Sequence, residues 1–208
     1  MAARKQVSNP VSARKTPAQQ RSLATVAAIL EAAARILETQ GLGAYSTNAV
    51  AARAGVSIGS LYQYFPNKDS ITRALIRRNV DALLADLRQV DCAARADTPM
   101  HALSQVVDVA VRHQLQRPEL ARLLDLEEMR LPADQDLQRA GQEARGIFAQ
   151  CLRVTDMVPA RELAVVCDDL FAIVKGMVDA AGQRGEASEK ALSRRVRRAV
   201  FGYVQWAG

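Results

Sequence analysis

The chain has 208 residues, is 49% hydrophobic and 24% charged, and carries a formal net charge of +6. That length buries a core without disulfide staples, and that balance excludes a disordered polypeptide. Two histidines and three cysteines in no CxxC pair argue against a structural zinc site. No apolar run reaches the roughly 20 residues of a membrane-spanning helix.

The charge is unevenly placed. Residues 1–80 hold eleven Lys/Arg and three Asp/Glu, a net of +8, whereas residues 81–208 hold seventeen and nineteen, a net of −2. A basic first third ahead of a near-neutral remainder points to a polyanion-binding end and a second domain with another task. The basic N-terminus is not followed by the hydrophobic segment of a signal peptide, so a cytoplasmic location is expected. Cys92, Cys151 and Cys167 lie far apart in sequence and are expected as separate, buried, reduced thiols.

Residues 1–20 contain Arg4, Lys5, Arg14 and Lys15 with no apolar periodicity. They read as a disordered basic arm, either a solvated tail or an arm that follows phosphates or enters a minor groove. From Ser22 to Thr39, Leu23, Val26, Leu30, Ala33 and Leu37 recur in steps of three and four, which predicts an amphipathic helix closed by Gly41 and Gly43. Ser46 or Thr47 caps a short helix to about Ala54. Gly55 turns the chain, and Ser57 caps a second short helix that runs to about Tyr64. Asn67 caps a long fourth helix to about residue 92, with Ile76, Val80, Leu83, Leu87 and Val90 on one seam.

The remainder is helical by the same test. Thr98-Pro99 opens a helix to Gln116, and Pro118 opens one to Met129. Further helices are expected over about 134–153, 160–181 and 187–206. No segment alternates as a strand does. The predicted fold class is all-α, with about nine helices. The divisions are an arm over 1–20, a helix-turn-helix unit over 21–68, and a second domain over 69–208 joined to it by the helix 69–92.

Small Ala51, then Gly55, Val56 and Leu61 give the spacing of a helix-turn-helix, whose second helix enters the DNA major groove. The run STNAVAARAGVSIGSLYQYFPNK, with the Ala-rich helix before it and the Leu61-Tyr62-x-x-Phe65-x-x-Lys68 close, resembles the DNA-binding domain of the tetracycline-repressor (TetR) family of bacterial transcriptional regulators. The resemblance covers residues 22–80; beyond 95 only helix number, order and length agree. It implies an all-helical homodimer paired through the last two helices of each subunit, and a repressor released by a small molecule. No cofactor and no metal are expected.

The resemblance places Thr47 and Asn48 at the DNA backbone and base edges, Ser57, Ile58, Gly59 and Ser60 in the groove, and Tyr62, Tyr64 and Lys68 at phosphates. Chemistry agrees. Asn bonds adenine bidentately, Ile58 suits a thymine methyl, and Tyr hydroxyls and an ammonium at a helix N-terminus suit phosphate oxygens. The groove set has no Arg or Lys, so specificity leans on Asn48, Gln63, the basic arm and DNA shape. Ala49 stands where related sequences often carry a long polar or basic side chain; Arg53, one turn on, can compensate.

In the second domain a ligand pocket is expected between helices four and eight. Candidates are Leu103, Val107, His113, Met129, Phe148, Cys151, Phe171 and Met177, a largely aliphatic set. The dimer face is expected at Val174, Met177, Ala181, Val196, Val200 and Tyr203, where Gly176 and Gly202 permit close approach. The expected partners are double-stranded DNA with a pseudo-palindromic operator, an unidentified small-molecule effector and a second copy of the chain, with no membrane. No carboxylate pair is flanked by histidine, and no nucleophile motif or phosphate-cradling loop occurs, which argues against an enzyme. A cysteine-based redox sensor and a DNA binder without sequence choice are the other readings.

Overall fold

Nine α-helices and no strand make up the described residues of the computed structural model, which are 17–92, 100–132, 134–153 and 157–206. In chain order they are α1 (Pro17–Gln40), α2 (Thr47–Ala54), α3 (Ile58–Tyr64), α4 (Lys68–Leu87), α5 (His101–Gln116), α6 (Pro118–Arg130), α7 (Gln135–Arg153), α8 (Leu163–Gln183) and α9 (Glu189–Trp206). The first helix begins five residues before the expected Ser22, so residues 17–20 are helical and not part of an arm. The rest of the arm, and the Thr98-Pro99 cap, lie outside the described residues. Proline at the first position opens α6 as foreseen. Helix α8 starts at Leu163, because Pro159 to Glu162 form a turn ahead of it.

Two hydrophobic cores organise these helices. The first joins α1, α2, α3 and the start of α4, with Ile29, Ile36, Leu37, Val50, Leu61 and Ile71 fully buried. Leu120, Leu123 and Leu124 of α6 also belong to it. Helix α6 therefore packs its leucine face on the head domain although it lies far along the sequence. The second core joins the end of α4 with α5, α7, α8 and α9, around Leu103, Val107, Leu152, Leu170, Leu192 and Val200.

Two expectations are corrected here. Cys92 and Cys151 form a disulfide, with Cα atoms 4.7 Å apart, because the segment after α4 returns against α7; Cys167 alone is a free, buried thiol. Sequence separation of 59 residues hid that proximity. Four of the six residues assigned to a dimer face, Val174, Ala181, Val196 and Val200, are buried within their own subunit. Met177 and Tyr203 are half-buried against the same core, and the Tyr203 hydroxyl donates to Asp169. The stripe that periodicity finds is the most apolar one, and that stripe faces the protomer's own interior. The outward faces of α8 and α9 instead carry Val165, 63% exposed, and Trp206, 91% exposed, with exposed Ala172 and Gly176 between them in sequence.

Candidate nucleic-acid interface

Local chemistry sets α2 and α3 in place. Ser46 caps α2 by accepting from the Ala49 N–H at 3.2 Å. Gly55 ends α2 at φ 69°, a left-handed conformation that glycine adopts without strain. Ser57 caps α3 by accepting from the Ser60 N–H at 3.0 Å, and its hydroxyl shares a 2.8 Å hydrogen bond with that of Ser60. Asn67 and Ser70 form a capping box at the start of α4. Ala51, Leu61 and Phe65 are buried where the helices meet. The small residue at 51 lets α2 and α3 approach, and Leu61 anchors the second helix from beneath.

That anchoring turns the other face of α3 outward. Asn48, Ser57, Ile58, Gly59, Tyr62, Gln63, Tyr64 and Lys68 are exposed, and Thr47 and Ser60 are partly so. Ile58 and Tyr62, at 38% and 49% exposure, are large apolar or aromatic side chains with no core to fill. The Thr47 and Tyr62 hydroxyls share a 3.3 Å hydrogen bond, which draws the first residue of α2 to the end of α3. Whichever hydroxyl accepts in this bond keeps its own O–H for a phosphate oxygen. The Lys68 ammonium sits 5.6 Å from the centre of the Tyr45 ring.

Tyr45 was not singled out from the sequence. It is buried, its hydroxyl shares a 3.1 Å hydrogen bond with Thr72, and Thr72 in turn donates to the Lys68 carbonyl. Burial pushes its phenol up to about 12, so it stays neutral. It thus fixes the start of α4 beneath Lys68. The signal was present: Tyr45 precedes the cap of α2 and shares a core with Val50, the arrangement of a hydrophobic staple.

Most other cations of the head are already matched. Arg35 pairs with Glu31 and Glu38, Arg73 and Arg77 with Asp134, and Arg78 with Glu31. Among the described residues Arg21, Arg53 and Lys68 carry no ion pair, so three positive charges remain uncommitted near α2 and α3 or on the first helix. Two further arginines tie α6 to the head. Arg117 makes a bidentate contact with Glu38 of α1, Nε to Oε1 at 2.5 Å and Nη2 to Oε2 at 2.7 Å, and Arg130 reaches Asp69 of α4 at 2.5 Å. These guanidiniums hold Glu38 and Asp69 below the usual carboxylate range.

A cavity of about 160 Å³ lies between α4, α5, α7 and α8, closed at one end by α6. Leu83, Leu87, Val106 and Phe148 supply apolar wall. Of the expected pocket residues, His113, Phe148 and Phe171 line it. Leu103 and Val107 are core beside it, Cys151 is in the disulfide, and Met177 packs on the core without reaching the wall. Met129 points outward at 74% exposure. The polar groups were missed: Gln114 and Asp125, bonded at 2.9 Å, and Glu128, Lys175 and Asp179. Their signal is a charge on an apolar stripe, visible only once α6 and α8 are known to face one another. Burial, with the charge of Asp179, pushes the Asp125 carboxyl up to about 6. Burial holds His113 below its usual value, and its Nε2 is buried without a hydrogen-bond partner.

A capped helix-turn-helix with an outward polar and aromatic face, joined to a helical domain enclosing a cavity, defines a DNA-binding regulator architecture. Residues 29–75 match the model for bacterial regulatory proteins of the tetR family, and residues 98–203 match that for the tetracyclin repressor-like C-terminal domain. The chain belongs to the TetR family of transcriptional regulators, a family of regulators and not of enzymes. It is similar to the nucleoid occlusion factor SlmA of Marinomonas sp. (strain MWYL1), 24% identical over 157 residues that span 72% of this chain and 79% of that protein. A TetR-family transcriptional regulator from Streptomyces coelicolor superposes with a TM-score of 0.66 at 24% identity, over 88% of this chain and 99% of the other. The SmeT–triclosan complex superposes with a TM-score of 0.58 at 20% identity, over 85% and 90%. Among the described residues no helix is long and apolar enough to cross a membrane.

Proposed function

We propose that this regulator is a homodimeric repressor that binds a pseudo-palindromic operator and leaves it when a small molecule occupies the cavity. The observation that carries the DNA reading is the exposed set on α2, α3 and the start of α4, with Thr47 and Tyr62 joined and Lys68 unpaired. In this reading Thr47, Tyr62, Tyr64 and Lys68 hold phosphates, while Asn48, Ser57, Ile58, Gly59, Ser60 and Gln63 meet the groove. Phosphate contacts set affinity and register, and the short side chains of α3 leave specificity to Asn48, Gln63 and DNA shape.

Two copies are needed because one seven-residue recognition helix reads few bases. The outward faces of α8 and α9, with Val165, Ala172, Gly176 and Trp206, are the surface offered to the second copy. Release follows from α6. Its leucines pack in the head core, its two end arginines grip α1 and α4, and its Asp125 and Glu128 face the cavity. A ligand that shifts α6 therefore moves the head, and the population shifts toward a spacing of recognition helices that DNA rejects. The triclosan bound to SmeT supports a small-molecule site in this fold.

Footprinting on the DNA upstream of the protein's own gene tests the proposal. It should show two protected half-sites separated by about one helical turn or a multiple of it, and sedimentation should give a dimer. Protection of a single half-site by a monomer, or uniform protection without a boundary, rules it out.

A further inference from the structure

The cavity is apolar over most of its wall, and its charged end has an unusual position. Asp125, Glu128, Lys175 and Asp179 line that end and also line an outer recess of about 410 Å³ beside the exposed Met129. The same four groups therefore stand as a collar between the inner space and the outer one. Lys175 is already matched, at 3.0 Å to Asp179 and 3.3 Å to Glu128. Asp125 has only the Gln114 amide, on one of its two carboxylate oxygens. Three carboxylates face one ammonium, and Asp125 is the one whose hydrogen-bond partner is an uncharged amide and not Lys175.

A ligand anion entering here meets three carboxylates and an ammonium that two of them share. A neutral ligand leaves Asp125 buried without a counter-charge, which is costly. A cation supplies the missing charge and hydrogen-bond donor at Asp125, and a charge-assisted bond to a carboxylate is stronger than a neutral one. We infer that the cavity takes an amphiphilic organic cation, an amine or ammonium whose apolar body fills the inner chamber and whose charged head sits at the collar beside Asp125 and Asp179. This rests on the cavity being the effector site.

Three probes with one tail and different heads separate the possibilities: octylammonium, octanol and octanoate, titrated calorimetrically into the full-length protein at neutral pH. Octylammonium should bind roughly tenfold or more tighter than either of the others. Asp125→Asn keeps the side-chain volume and the Gln114 contact, and should reduce the lead of octylammonium over octanol by about threefold or more. Asp179→Asn, which keeps Asp125 itself, should reduce it in the same direction. Octanoate binding as tightly as octylammonium would overturn the inference and give the anchor to Lys175, and so would failure of all three to bind. Anisotropy on the operator fragment, run alongside, keeps the two claims apart. Octylammonium that binds without weakening the DNA complex leaves the ligand class standing and removes the release mechanism. Operator binding weakened by octanoate and not by octylammonium removes the ligand class and leaves the ligand-released repressor.

Discussion

Leu61→Ala is expected to lower stability by about 2–5 kcal/mol, the range for deleting a fully buried leucine side chain. Leu61 has no exposed surface and lies at the junction of α1, α2 and α3. Val50, Ala51 and Phe65 belong to the same core, and α2 and α3 each depend on tertiary packing, since seven or eight residues do not hold a helix alone. At this chain length each kcal/mol shifts Tm by roughly 2–4 °C, so thermal unfolding followed by circular dichroism should show a clear drop. Ile58 gives the contrast. It lies on the same helix but is 38% exposed, so Ile58→Ala should change stability by no more than about 0.5 kcal/mol while weakening DNA binding. Equal losses of stability at the two positions would mean that α3 is not held from beneath by Leu61.

Asp125→Asn is expected to stabilise the protein above neutral pH and to leave it unchanged near pH 4. The sign follows from the raised pKa. A carboxyl that titrates near 3.8 when unfolded and at about 6 when folded holds its proton more tightly in the native state. Wild-type stability therefore falls as pH rises between these values and is flat above about 7. The full displacement corresponds to about 3 kcal/mol, and partial solvent access at the collar reduces the expected gain to about 2 kcal/mol. Gln114, His113, Glu128, Lys175 and Asp179 surround the group. Urea midpoints at pH 4, 6 and 8 for the two proteins measure it. A variant no more stable than wild type at pH 8 would show that Asp125 is solvated in the native state.

The head was legible because every signal in it is local. Caps at Ser46, Ser57 and Asn67, the turn at Gly55 and the anchor at Leu61 each act within a few residues of their partners, so spacing alone finds them. The second domain was legible as helices and not as a site. Periodicity located α5 to α9, but a stripe of valines and leucines carries no mark of whether it faces its own core, a cavity or another copy. That is why Val174, Ala181, Val196 and Val200 were assigned outward and are buried. The polar collar and the Cys92–Cys151 bond depend on helices brought together across long stretches of chain, and nothing within one helix announces them. The role of α6 is of the same kind. Its sequence position belongs to the second domain, whereas Leu120, Leu123, Arg117 and Arg130 attach it to the head.

This attachment revises the view of the chain as a DNA reader carried on a separate sensor. Helix α4 runs between the two parts, and α6 spans them a second time with apolar contacts and ion pairs at both ends. The exposed face of α3 remains what the outcome depends on, since coupling has no output without a grip on DNA.

The salt dependence of binding to the protein's own promoter fragment, for wild type and Lys68→Ala, tests that grip most directly. For wild type, log K against log salt concentration should fall linearly, by about 0.9 for each phosphate contact, with a clear preference for the promoter over bulk DNA. Lys68→Ala should weaken binding to all sequences and shallow the slope by about 1 for each protomer engaged. Binding that is insensitive to salt, unchanged by Lys68→Ala and equal on promoter and bulk DNA would contradict the account.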